Sequence, residues 1–498
     1  MGSATVQTTR EIKFWPMMMT MFLGSFVVML SSSTINIALP YLMTNLHTDL
    51  DTAKWLITGF MLTMGTSAPL TAFLGERISY KRLYLIAIAG FSAASALVFV
   101  SNTIDMLIAI RFLQGFFGGV TIPATMAIVY QALPKKRLIT AVSIWSIAPT
   151  LAPAVGPTVS GFLIQYFNWK AIFFINIPLG LIALILGVIF LPGYRLSADS
   201  ALDIPGIVLS VLSSTVLLFA FSEGSALGWS SAIIVCTLIA GAVFLALFIF
   251  WELRAKSPVL NLRTFRYPTF TAGVVVGCII NIALYSGIFL TPIFLQNIQG
   301  LAPLDAALVL LPATICMAVL MPIVGRVYER IGALPLLLVG VFLIALGTWR
   351  MTQLSVTTSH DYVRIWMALR YIGLALATMP ASNAGMITLP KELSGNGSSI
   401  LNWTKQMFAC LSIGVFSSLL TSRASNHISA LSHGATSPAG LAAAHANGYV
   451  MGINDVYLVS CLVILIALPF SFLLRRRRKL HDSPVPPHAA AEVAPDPT

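Results

Sequence analysis

Charge is what this sequence has least of. Only 9% of its 498 residues are Asp, Glu, Lys or Arg, against roughly 25% in soluble domains, so most of its surface does not face water. Acid is scarcer than base, 17 residues to 29, and no acid falls deep inside an apolar run. The seven histidines also avoid the middles of those runs. A polytopic membrane enzyme would need clustered carboxylates, imidazoles or metal ligands, and the sequence offers none. Nor is there a glycine-rich phosphate loop ending in Lys-Ser or Lys-Thr, as an ATP-driven pump requires. No cofactor is expected. The five cysteines, Cys236, Cys278, Cys316, Cys410 and Cys461, sit singly within apolar runs, which predicts free thiols rather than a disulfide framework or a zinc site.

What the chain has in abundance is hydrophobic length, at 57% of its residues. A span needs roughly 20 apolar residues to cross about 30 Å of hydrocarbon. Runs of that kind fall at 14–40, 52–75, 83–101, 105–130, 138–165, 171–191 and 204–221. Seven more fall at 229–251, 268–296, 304–325, 333–353, 364–389, 396–421 and 452–474. Backbone polar groups must be satisfied internally in lipid, and strand alternation is absent, so helices are expected. The first run is too long for a signal-peptide core and no cleavage pattern follows it. It reads as a retained span.

The basic residues set the orientation. With both termini cytoplasmic, 21 of the 29 Lys and Arg lie inside, including the Arg475–Lys479 cluster, and five lie outside: Lys54, Lys170, Arg350, Arg364 and Arg423. Three remain within spans. The net charge of +12 is therefore a topology signal and argues against nucleic acid as a partner.

An internal repeat accompanies the spans. Glu76-Arg77-Ile78 is echoed by Glu329-Arg330-Ile331, Arg111 by Arg370, and Pro40 with Asn45 by Pro292 with Asn297. Matched halves around a central cavity are a common transporter plan. The predicted fold is all-α, with a six-helix bundle at 1–192, two inserted spans at 203–253, a second six-helix bundle at 258–474 and a disordered cytoplasmic tail at 475–498. Within the outer stretch 422–451, a short surface helix is expected near 441–446.

The motifs carry a more specific resemblance. Ala72-Phe-Leu-Gly-Glu76-Arg77-Ile-Ser-Tyr-Lys81-Arg82 follows the second run, and Arg111-Phe-Leu-Gln114-Gly115 opens the fourth. Ala152-Pro153-Ala-Val-Gly156-Pro157 with Gly161 lies in the fifth, and Trp169 to Gly180 leads into the sixth. Trp251-Glu252-Leu-Arg254 and Asn402-Trp403-Thr-Lys405-Gln406 come later. In this order they resemble the fourteen-span drug/proton antiporters of the major facilitator superfamily, over nearly the whole chain. The resemblance implies a monomeric multidrug exporter of the bacterial inner membrane, moving small amphipathic drug-like compounds against protons. It also implies an inner-gate role for Glu76 and Arg77, and links Gly156 and Pro157 to export.

The residues admit plainer readings too. Glu76 and Arg77 also fit a solvated positive-inside loop, and Gly156-Pro157 fits a packing kink. Arg111, about 9 Å inside its span, either snorkels outward or faces the interior and needs polar partners, with Gln114 one turn on. The sequence departs from the family at Ser31, where the first-span motif usually has an acid. Proton coupling would then need an unusual group such as Glu76, Asp105 or Lys405. Asp105 is equally an ordinary first-turn acid. With Arg111, Arg370 and Lys405 in the spans and no acid beside them, neutral, zwitterionic or anionic amphiphiles fit better than cations. Candidate cavity-lining residues are Ser31, Asn36, Gln114, Trp145, Tyr285, Gln296, Asn383, Asn402 and Trp403, each of which equally suits packing.

Overall fold

The computed structural model describes residues 13–474 apart from 68–69, 134–136, 138–140, 142–143, 146, 193–202, 256–257, 259, 387, 390–392 and 433–436. The expected tail at 475–498 and the Arg475–Lys479 cluster lie outside the described residues. The described residues are helical, without a strand. In chain order the helices are α1 Phe14–Asn45, α2 Leu50–Ala53, α3 Trp55–Ser67, α4 Leu70–Ile78, α5 Tyr80–Leu97 and α6 Ile104–Ala132. Next come α7 Ile147–Tyr166, α8 Ala171–Phe174, α9 Asn176–Phe190, α10 Ile204–Leu227, α11 Ala232–Arg254 and α12 Pro268–Ile293. The last are α13 Pro303–Ile331, α14 Ala333–Arg350, α15 His360–Met386, α16 Ser394–Ser432, α17 Pro438–Leu465 and α18 Ala467–Leu473.

Eleven helical segments among the described residues are long and apolar enough to cross a membrane. The second predicted run is broken at Lys54 into α2 and α3, with α4 beyond residues 68–69. Interior prolines include Pro40, Pro123, Pro157, Pro292 and Pro380. Proline removes an amide donor, and membrane helices tolerate it because neighbouring helices and hydroxyl side chains satisfy the freed carbonyl.

The packing follows a recurring scheme. Helix α1 packs on α7 and α9, α3 on α6, and α5 on α6 and α9. Later in the chain α12 packs on α16, α17 and α18, α13 on α15, and α14 on α15 and α17. Two reciprocal contacts, α7 with α13 and α16 with α3, join the sets. Between them α10 and α11 pair with each other, and α10 leans on α16 and α3. Only 17% of the most apolar window of α11 is buried, against 67% in α1 and α12. That places α11 at the periphery.

The stretch 422–451 differs from expectation. Helix α16 continues to Ser432 and α17 begins at Pro438, capped by Ser437, whose side chain accepts from Gly440 N. The two long helices are clipped by His427 and Asp455, 2.9 Å apart. Small polar residues lower hydropathy without breaking a helix, so the apolar pattern ends well before the helices do.

Candidate functional site

Arg111 on α6 is fully buried. Its Nε donates to Leu56 O on α3 at 2.9 Å, and its Nη1 donates to Ser31 Oγ at 3.2 Å and Gln114 Oε1 at 3.1 Å. The guanidinium also lies 4.0 Å above the Phe60 ring. Gln114 passes the network on, donating to Ser95 Oγ on α5 at 2.8 Å. Placing arginine mid-membrane costs about 2.5–3.5 kcal/mol or more, and hydrogen bonds from a charged donor return about 1.5–3 kcal/mol each. Three acceptors and a ring face offset that cost without a carboxylate, and Nη2 is left without a partner among the described residues. Arg111 does not snorkel.

Arg370 on α15 repeats the arrangement. It is fully buried, donates to Thr348 Oγ1 at 2.9 Å and Ser286 Oγ at 2.6 Å, and bonds Ala283 O. Neither arginine has an acid beside it among the described residues.

Lys405 on α16 is half-buried and donates to Ser382 Oγ on α15 at 2.7 Å. Asn281 on α12 donates to its carbonyl at 2.7 Å. A void of about 30 Å³ opens beside it, lined by Gly277, Ile280, Asn281, Leu284 and Thr378. Trp145 donates to Ser25 Oγ on α1 at 3.1 Å and Thr125 Oγ1 on α6 at 3.0 Å.

Several contacts between the two helix sets lie toward the face of the α1–α2 turn, called distal below. Gln296 Nε2 donates to Ile37 O at 3.0 Å. A Cβ on Gly156 would come within 2.5 Å of Ser33 Oγ, and one on Gly161 within 2.7 Å of Leu304 Cα. Glycine at those places lets α7 approach α1 and α13 closely. Lys54, fully buried, donates to Asp51 Oδ1 at 3.0 Å and stands 3.5 Å from Glu223 on α10. Trp55 Nε1 donates to the same Glu223 at 3.1 Å, and Ser417 on α16 donates to Asp51 at 3.3 Å. A cavity of about 450 Å³ borders this cluster, lined among others by Asp49, Asp51, Ile428, His445 and Tyr449.

Several sequence candidates move in the light of this geometry. Gln114 is fully buried inside its own bundle, held by Arg111 and Ser95. Asn36 is buried and donates to Ser32 O and Ser33 O of its own helix at 3.2 and 3.1 Å. Trp403 stacks obliquely on Phe248 of α11, 5.8 Å between centroids, so it faces the inserted pair. Asn402 and Asp105 are exposed, with Asp105 in the first turn of α6. Tyr285 and Asn383 are half-buried. Glu76 and Arg77 have backbone in α4, but their side chains, like that of Glu329, lie outside the described residues. Lys54, grouped above with outer loop residues, is instead buried in an ion pair. Sequence reasoning also passed over Glu223, two residues beyond an apolar run. Its only signal was an acid next to a span end with a lysine available elsewhere.

A profile of the Major Facilitator Superfamily matches residues 21–413. The chain belongs to this superfamily. The transporter is 30% identical over 496 residues to the MFS-type transporter YhcA of Bacillus subtilis, covering 93% of each chain. It is 28% identical to the lincomycin resistance protein LmrB of Bacillus subtilis, over 96% of this chain and 99% of that one. It is 30% identical to the tetracenomycin C resistance and export protein of Streptomyces glaucescens, over 82% and 76%. Among solved structures, a POT family transporter superposes with a TM-score of 0.68 at 14% identity, covering 92% of this chain and 96% of that one. As a superfamily transporter, this chain places its two buried arginines at equivalent positions of the repeat, each on the fourth long helix of its set.

Proposed function

We propose that this transporter exports small hydrophobic or amphipathic compounds across a bacterial inner membrane by alternating access. It does so with fourteen spans, both termini cytoplasmic, as a monomer. The observation that carries the reading is the distal seam. The contacts named there between the two helix sets lie at the face that the lysine and arginine distribution puts outside, an arrangement that suits an exporter awaiting cargo from within. The reciprocal packing of α7 on α13 and α16 on α3 supports two bundles at 1–192 and 258–474 that rock about that seam, with 203–253 as an inserted pair. Relatives named for lincomycin resistance and for tetracenomycin C export support drug-like cargo.

Proton influx is the coupling the resemblance implies. One proton crossing 100 mV releases about 2.3 kcal/mol, enough for about fiftyfold accumulation. Glu76, Arg77, Asp105, Arg111 and Lys405 are the groups assigned to it and to the gates. A second reading, an uncoupled or anion-selective carrier, gains from one observation. Arg111, Arg370 and Lys405 lack carboxylate partners among the described residues, and Ser31 replaces an acid. Purified protein in liposomes, given a panel of amphiphiles under an imposed pH gradient with internal pH recorded, tests both readings. Efflux with matching proton entry supports coupling. Efflux without proton movement supports the second reading, and no efflux of any compound overturns export.

A further inference from the structure

Two polar nodes lie at matching places in the repeat. Ser25, Thr125 and Trp145 meet at 3.0 to 3.2 Å. Asn281 donates to the backbone carbonyl of Lys405, and the Lys405 ammonium donates to Ser382 Oγ, each at 2.7 Å. Position by position they are 256, 257 and 260 residues apart, the spacing that also relates Arg111 to Arg370. Each node joins a first, a fourth and a fifth helix of its set. The first is closed by a neutral indole and the second by an ammonium. The fold therefore does not require a cation at this position, and Lys405 needs another explanation.

The surroundings of Lys405 supply one. Its ammonium has a single side-chain partner, a hydroxyl, and no carboxylate among the described residues. It is half-buried rather than sealed. The void beside it, about 30 Å³, exceeds the roughly 10–15 Å³ that one water needs. Thr378 lines that void as a further hydroxyl. A lysine at membrane depth without a counter-charge is costly, and an anion that arrives and leaves with the transport cycle offsets that cost only while bound.

We infer that Lys405, with Ser382 and Thr378, binds an anionic oxygen group, a carboxylate or its like, on the transported amphiphile. The inference rests on the export reading and narrows its substrate class to lipophilic acids. Lys405 supplies the charge, and the Ser382 and Thr378 hydroxyls, which donate to Thr378 O and Leu374 O in this state, turn to donate to the anion when it binds. Such cargo leaves a cell whose interior is electrically negative with the potential in its favour, by about 2.3 kcal/mol per charge per 100 mV. A chain with Ser31 in place of the first-span acid is suited to that cargo.

The test uses a fluorescent lipophilic carboxylate and its methyl ester, compared in liposomes bearing wild-type protein, Lys405→Met, Lys405→Arg or Ser382→Ala. The expected result for Lys405→Met is a fall in carboxylate flux at least tenfold greater than any accompanying fall in ester flux. Lys405→Arg should keep part of the preference, and Ser382→Ala should weaken it severalfold. Equal loss for acid and ester in Lys405→Met, or a wild-type preference for the ester, overturns the inference. Should Lys405→Met fail to fold, Ser382→Ala decides on the same pair. Equilibrium binding of the carboxylate to purified protein reads the site even if export itself fails. Tenfold weaker binding in Lys405→Met supports the site, and unchanged binding refutes it.

Discussion

Lys54 and Glu223 stand 3.5 Å apart across the boundary between the first helix set and the inserted pair. The lysine is fully buried, while the carboxylate keeps about a fifth of its surface. Asp51 holds the other side of the ammonium at 3.0 Å and also accepts from Ser417 on α16. One cation thus ties α2, α10 and, through Asp51, α16 at the distal face.

Removing that cation leaves two carboxylates facing each other. Breaking a buried pair costs up to about 3–5 kcal/mol, and less here because both acids are partly solvated. Lys54→Met is expected to lower the thermal unfolding midpoint in detergent. The triple variant Lys54→Met/Asp51→Asn/Glu223→Gln should regain most of the loss. A triple variant no better than the single one would show that packing, not charge, dominates at this junction.

Arg111 uses the geometry of its fork as well as its charge. Lysine keeps the charge but cannot reach Leu56 O, Ser31 and Gln114 together. Arg111→Lys is expected to reduce efflux about tenfold or more and to lower thermal stability. Wild-type efflux in that variant would mean the network is incidental.

Ser31 lies 3.2 Å from the Arg111 Nη1. Ser31→Asp places a carboxylate against that guanidinium and introduces a group that can exchange a proton. Efflux by the variant should depend more strongly on an imposed pH gradient than wild-type efflux, measured in the same liposomes. An unchanged dependence would argue that position 31 has no part in coupling.

Gly156 leaves no room for a side chain beside Ser33. Gly156→Leu overpacks the α1–α7 contact, a change that typically costs about 1–3 kcal/mol, and should slow efflux. Adding Ser33→Gly should restore part of the rate. Failure of that rescue, with protein levels unchanged, would point to a role of Gly156 beyond close approach.

Much of this arrangement is legible in the sequence, and the part that is not has a physical reason. Long apolar runs fix α1, α6 and α12 because lipid leaves the backbone no alternative to helix. The lone lysine at 405 marks itself inside such a run. Its partners do not, because each residue turns a helix by about 100° and the facing depends on neighbours hundreds of residues away. Lys54 and Glu223 escape because hydropathy fades where a span ends, so a buried ion pair and a solvated loop look alike. The long α16–α17 hairpin is missed for a related reason, since Ser, Ala and His support a helix without marking a span.

The central claim is that two matched bundles rock about a distal seam that now holds them together. Asn45 and Asn297, both exposed and at equivalent places in the repeat, report on that seam when changed to cysteine and spin-labelled, with Cys236 and Cys316 replaced by serine. Pulsed electron-spin distance measurements in liposomes should show a short and a long population. The long one should grow when Ser417→Ala removes the bond to Asp51 across the seam. A single distance, unmoved by substrate or by Ser417→Ala, would contradict the account.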